Sequence, residues 1–266
     1  MRQEVAVEKV LESLKKDHSV RSVFLKGSMG RNEHDHHSDI DLYCLVEEGG
    51  EDDFLTRRLD HLKAYKDLLF HDDIFIIAPQ IIAIYEDWLH IDLFTVTEKT
   101  IQEKDFFTVL YDPDNLMEKY ESTQNLTISN EQFRDNVLDA AWFLFQHQKA
   151  AARGNHTWAV EMLRHSMRSV TIILLSRYAK ERAVLGLKTI HRDLPEELQS
   201  RVVGIYEEMT PSRHEEAFER KRGEQSKIKK WIPIIKNVQS KKLWTFLCDE
   251  YQLPVCCLSF STAFSR

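Results

Sequence analysis

Cysteine is scarce in this chain of 266 residues, and what there is has the wrong spacing for metal or disulfide chemistry. Cys44, Cys248, Cys256 and Cys257 contain no Cys-x-x-Cys pair, which argues against a zinc ribbon and against a disulfide framework and fits a reducing cytoplasm. Long apolar runs are missing as well. The best candidate, Val170–Leu175, stops at Ser176 and Arg177, far short of a membrane span. Met1-Arg2-Gln3-Glu4 mixes charges where a signal peptide would build an apolar core, so a cytoplasmic, membrane-free protein is expected. Positive charge is not in excess either, since 36 Lys and Arg against 43 Asp and Glu leave a net −7. Polyanion binders profit from counterion release through a basic surface, and no basic track interleaved with aromatics is present. Nucleic acid is therefore not an expected partner, and template polymerisation is not an expected activity. Low-complexity linkers and internal repeats are also absent.

What is there is ordinary globular composition, 42% apolar and 30% charged, in a chain long enough for one large domain or two modest ones. Val7, Val10, Leu11 and Leu14 recur at helical spacing over residues 4–16. Short strands are expected at Val23–Leu25 and Ile40–Val46, with a helix over 51–66 between that second strand and the next β-rich region. Ile81–Tyr85 and Leu89–Phe94, around the polar Glu86-Asp87, predict an antiparallel hairpin, and Phe106–Tyr111 a last strand. Near residue 125 the character changes. Ser129-x-x-Gln132 predicts a capping box opening a helix that stops at Gly154, followed by a second long helix over 156–181. Pro195 and Thr210-Pro211 introduce further helices, and no strand is expected from 130 to 250. The fold class is thus α+β, a mixed αβ domain over 1–125 and an all-helical domain over 126–266.

The stretch with chemical content is K-G-S-M-G-R-N-E-H-D-H-H-S-D-I-D-L, residues 26–42. Asp39 and Asp41 sit one residue apart at the head of a strand, so both project from one face, ~7 Å apart along the strand. Two carboxylates this close resist joint ionisation, a cost usually accepted for a bound cation. On the later hairpin, His90 and Asp92 share one face and Leu89, Ile91 and Leu93 the other. If the strands are neighbours, Asp92 joins Asp39 and Asp41 in an oxygen-rich site suited to magnesium, Mg2+. Gly27-Ser28 directly follows a strand. Glycine admits close backbone approach, and turn amides with a hydroxyl can hold phosphate oxygens, with Arg31 as a nearby cation.

Gly27-Ser28, ten intervening residues, Asp39-x-Asp41 and a later strand aspartate at Asp92 resemble the signature of the DNA polymerase β-type nucleotidyltransferase superfamily. The order of domains resembles the lincosamide and aminoglycoside nucleotidyltransferases. The resemblance implies a catalytic nucleotidyltransferase domain followed by a helical bundle. Asp39 and Asp41 would bind magnesium, Asp92 would be the third ligand or the general base, and Gly27-Ser28 would hold the β,γ-phosphates. The implied reaction moves a nucleoside monophosphate, AMP from ATP or its counterpart from another NTP, onto a hydroxyl of a small molecule. Antibiotics are the implied acceptor class, and a homodimer is the analogy from bilobed relatives. Two competing readings are a protein- or RNA-modifying nucleotidyltransferase of toxin–antitoxin type and a non-catalytic nucleotide-binding module.

Other residues carry weaker signals. Lys149 shares a helix face with Trp142 and Phe145, and is read either as a second-domain cation for the nucleotide or as a lysine lying over an apolar surface. Arg164 and Arg168 share that ambiguity. Glu161 could orient an acceptor, although a solvated helix position explains it as well. His34, His36 and His37 lack regular ligand spacing, and Arg220–Lys230 reads as a solvated helix face.

Overall fold

The computed structural model describes residues 1–101 and 105–217, which leaves Arg220–Lys230 and the C-terminal Cys256–Arg266 stretch outside the described residues. The chain divides into two compact units, Met1–Asn125 and Leu126–Arg266.

The first unit is built on a six-stranded sheet. Its elements are α1 (Arg2–Leu14), β1 (Val20–Leu25), α2 (Gly27–Gly30), β2 (Ile40–Val46), α3 (Glu51–Leu62), β3 (Leu68–Phe75), β4 (Pro79–Tyr85), β5 (His90–Val96) and β6 (Thr108–Tyr111). Strand order is β3-β4-β5-β2-β1-β6. All neighbours run antiparallel except β2 and β5, which are parallel and in register from Ile40↔Ile91 to Leu45↔Val96. The expected hairpin is β4–β5, but β3 was not anticipated.

Alternation along β2 and β5 sorts the core into two layers. Ile40, Leu42, Cys44 and Val46, with Leu89, Ile91 and Leu93, pack under Val7, Val10 and Leu14 of α1 and Phe54 and Leu62 of α3. On the opposite face Phe24, Tyr43 and Phe94 stand at matched positions of three neighbouring strands, with ring centroids 5.3 and 4.3 Å apart. Met117 and Tyr120 close that layer. Aromatic pairs in direct register are the strongest cross-strand contacts, so this ladder sets how β1, β2 and β5 slide against one another. An ion pair ties α3 to the turn between α1 and β1. Asp17, buried between α1 and β1, accepts from Arg57 Nε at 2.8 Å and Nη2 at 2.9 Å, and from the Ser19 amide at 2.9 Å, with His61 Nε2 3.1 Å away. Arg57 holds the Asp17 carboxyl far below the usual carboxylate range.

In the second unit α4 (Asn130–Ala152) and α5 (His156–Tyr178) form an antiparallel hairpin, followed by a 3-10 stretch (Lys180–Lys188), α6 (Ile190–Asp193) and α7 (Glu196–Glu207). The capping box is formed as expected. Ser129 Oγ accepts from the Gln132 amide at 3.1 Å, and Gln132 Oε1 accepts from the Ser129 amide at 2.9 Å. Gly154 takes φ +69° at the turn, and Asn155 Oδ1 caps α5 through the Trp158 amide. Leu163, Met167 and Leu175 of α5 form the centre of this core, against Val137 and Leu144 of α4 and Val202 and Ile205 of α7. Pro195 precedes α7, as its missing N–H favours. No strand occurs among the described residues of this unit.

Candidate active site

Parallel pairing of β2 with β5 places Asp41 directly beside Asp92. Continuing the same register, Asp39 and His90 form the next row at the strands' entry. The chain thus sets four ionisable side chains on two neighbouring strands, on the sheet face opposite α1 and α3. Ligand atoms of Asp39, His90 and Asp92 lie within 4.8 Å of one another. His90 Nε2 is 3.1 Å from Asp92 Oδ1, and its Nδ1 is 3.9 Å from Asp39 Oδ2. The hydrogen bond to Asp92 raises the His90 pKa, against a desolvation that lowers it, and Asp39 and Asp41 add to the rise. When protonated, His90 would offset part of the charge that the carboxylates concentrate here.

Asp41 turns towards the turn that follows β1. Gly27 has φ +60°, and a Cβ built on it would overlap Asp41 Oδ2 and stand 2.8 Å from Asp41 Cγ. Only glycine lets the backbone come this near the carboxylate, and only glycine holds that φ without strain. The Lys26 amide donates to the Asp41 carbonyl at 3.0 Å, which locks the turn to β2. Beside it the Ser28 hydroxyl is buried and has no hydrogen-bond partner among the described residues. An orphaned buried hydroxyl costs about 1–3 kcal/mol. Its position at a glycine turn, next to a carboxylate cluster, fits an oxygen-rich anion that arrives with a metal. Gly30 is needed for a different reason, because a Cβ there would meet the Leu25 carbonyl oxygen at 2.6 Å.

Arg31 lies close by with its guanidinium engaged, Nε to Glu33 Oε2 and Nη1 to Asp105 Oδ1, each at 3.1 Å. Lys26 was not singled out in the sequence. It is buried, its ammonium lies 5.0 Å from the Tyr43 ring centroid, and burial lowers its pKa although Asp105 acts the other way. A lysine that ends an apolar strand immediately before Gly-Ser was the available signal. For His90 the signal was stronger, because alternation already put it on the face of Asp92.

The remaining candidates resolve more plainly. Lys149 shares its face with Trp142 and Phe145 as expected, its ammonium 5.3 Å from the Phe145 ring centroid. Glu161 pairs along its own helix with His165 at 3.4 Å and Arg164 at 3.9 Å. His36 and His37 are exposed, while His34 lies 3.6 Å from Glu4. No group of these histidines gathers as metal ligands among the described residues.

A mixed sheet with paired strand carboxylates beside a Gly-Ser turn, in a chain whose second unit is helical, defines a nucleotidyltransferase. The family model for streptomycin adenylyltransferase matches residues 1–218, and the chain belongs to that family. Among solved structures it is similar to an aminoglycoside 6-adenyltransferase from Bacillus subtilis, at 13% identity over 94% of this chain and 98% of that one, with a TM-score of 0.36. It is also similar to a nucleotidyltransferase-like protein from Exiguobacterium sibiricum 255-15, at 11% identity over 95% and 89% of the two chains, with a TM-score of 0.34. No curated protein matches the chain.

Proposed function

We propose that this protein is a magnesium-dependent adenylyltransferase that moves AMP from ATP onto a hydroxyl of an aminoglycoside-type antibiotic, with residues 1–125 as the catalytic domain and 126–266 as the helical domain. The observation that carries the reading is the pairing of Asp41 with Asp92 across parallel strands, with Gly27 stripped of a side chain against Asp41 and the Ser28 hydroxyl left without a partner among the described residues. The acceptor class is taken from the family and from the name of the Bacillus subtilis structure.

The donor set suits the metal. Asp39, Asp41 and Asp92 would hold magnesium through oxygen, and the ion when bound would neutralise the triphosphate and stabilise the leaving oxygens. Ser28 donates its hydroxyl hydrogen to a phosphate oxygen, and the bare Gly27 backbone lets that phosphate approach. The acceptor oxygen forms a bond to the α-phosphorus while the bond from that phosphorus to the bridging oxygen breaks, and pyrophosphate leaves with the electron pair. In the base role, with magnesium held by Asp39 and Asp41, Asp92 takes the acceptor's proton on the oxygen that His90 does not occupy. His90 orients the Asp92 carboxylate through its hydrogen bond.

The deciding experiment is a pyrophosphate-release screen of streptomycin, other aminoglycosides and lincosamides with magnesium and each nucleotide. Release that requires both ATP and an aminoglycoside supports the reading, and no turnover with any of these acceptors refutes it. Asp92→Asn separates two roles. Retained magnesium–ATP affinity with a rate loss of about 10²–10⁴-fold marks a base, whereas parallel loss of affinity and rate marks a ligand.

A further inference from the structure

β3 is an outer strand of the sheet, and among the described residues no strand pairs with its outer edge. Proteins blunt such edges with lysine, proline, bulges or a covering element. The stretch from Leu68 to Ile77 contains neither lysine nor proline. The one irregularity in the β3–β4 ladder lies between Leu68 and Phe70, so residues 70–75 run in unbroken register. Leu69, Phe70, Phe75 and Ile76 are 57, 50, 74 and 69% exposed, two apolar pairs at either end of the strand with His71-Asp72-Asp73 between them. The other edge strand, β6, spans only Thr108–Tyr111.

We infer that β3 pairs antiparallel with β3 of a second copy of this chain, joining two sheets across a two-fold axis at Asp72. Two identical antiparallel strands must place the axis on a residue position, because only pairs of equal hydrogen-bonding parity face each other. With the axis at Asp72, Phe70 faces Ile74 of the second copy, Leu69 faces Phe75, and His71 faces Asp73. Every apolar residue meets an apolar one, and the imidazole meets the Asp73 carboxylate, which Arg58 of its own chain also contacts. With the axis at His71, Phe70 would face Asp72 and Leu69 would face Asp73. With the axis at Asp73, Asp72 would face Ile74. Only the Asp72 register is self-complementary, and its single defect is that Asp72 opposes itself.

That defect gives the test an unusual sign. In light scattering of the full chain, the wild type forms a dimer whose fraction grows with concentration. Asp72→Asn removes a like-charge pair and tightens the dimer by about two- to fivefold, while Phe70→Lys, acting twice per dimer, weakens it by on the order of tenfold or more. Under oxidation Asp72→Cys yields a covalent dimer reversed by dithiothreitol, because directly opposed residues have Cα atoms at disulfide distance. With Cys248, Cys256 and Cys257 replaced by serine throughout this comparison, Ile74→Cys, which would face Phe70, and the parent chain give none. Circular dichroism checks that each variant is folded. A wild type that stays monomeric at all concentrations overturns the inference. A dimer weakened by Asp72→Asn or indifferent to Phe70→Lys overturns it too. None of these readouts depends on the acceptor or on turnover, so they stand apart from the test of the proposed activity.

Discussion

Adding one methyl group at Gly27 tests the site most sharply. Gly27→Ala places a Cβ in overlap with Asp41 Oδ2 and 2.8 Å from Asp41 Cγ, at a residue with φ +60°. The backbone contribution is about 1–2 kcal/mol for an L-residue in the left-handed region. A less flexible unfolded chain returns ~0.4–1 kcal/mol of that. Driving the Asp41 side chain off its rotamer adds about 0.5–1.5 kcal/mol. The sum is ~1–2 kcal/mol, a drop of a few degrees in melting temperature for a chain of this size. Activity should fall much further, by about 10²-fold or more, because the carboxylate is displaced by the scale on which catalytic geometry fails. Gly49→Ala and Gly154→Ala are the controls. Both residues have positive φ, 85° and 69°, with nothing within 4 Å of a built Cβ. They should show the backbone penalty and keep full activity. Melting curves, magnesium–ATP titration and pyrophosphate release on the three variants make the comparison. If Gly27→Ala retains activity within threefold of its controls, Asp41 is not held where the chemistry needs it, and the site assignment fails.

Ser28→Ala should leave the apo protein as stable or more so, since it deletes a buried hydroxyl without a partner among the described residues. The same change should weaken nucleotide binding by about 10- to 100-fold, the worth of a hydrogen bond to a charged group, as read by calorimetric titration. The Asp17–Arg57 pair sets an acid limit. Asp17 has a folded pKa depressed below its unfolded value near 3.8, so its stabilisation is full above that value and is lost as pH falls through the depressed range. Arg57→Met should cost about 2 kcal/mol at neutral pH, less than the ~3–5 kcal/mol of a fully buried pair, because His61 and the Ser19 amide still hold the carboxylate. In urea titrations that deficit should shrink below pH 3.8, and a deficit independent of pH would discard the explanation. Cys44 is fully buried and burial raises its thiol pKa, so thiol reagents at mild alkaline pH should modify it only on unfolding, as peptide mapping would read.

Local pattern alone determined much of this protein. The spacing of Gly27-Ser28 to Asp39-x-Asp41, the strand alternation that separates Ile40, Leu42 and Cys44 from Asp41 and Tyr43, and the Ser129 capping box are properties of a few adjacent residues, and all are realised in the structure. The strand β3 was illegible because alternation signals a strand only when one face is buried. On β3 both faces are largely exposed, and His71-Asp72-Asp73 interrupts its apolar residues. The partnership of Asp92 with Asp41 was conditional in the sequence, since nothing local says which strands neighbour one another. It became definite only when β5 packed parallel to β2 in register. The same pairing brought His90 between Asp39 and Asp92, while the fold of the turn after β1 left the Ser28 hydroxyl buried without a partner among the described residues. Hydrophobic period is a short-range property of the chain, whereas strand neighbours, registers and orphaned polar atoms depend on which distant segments meet, and tertiary packing decided those.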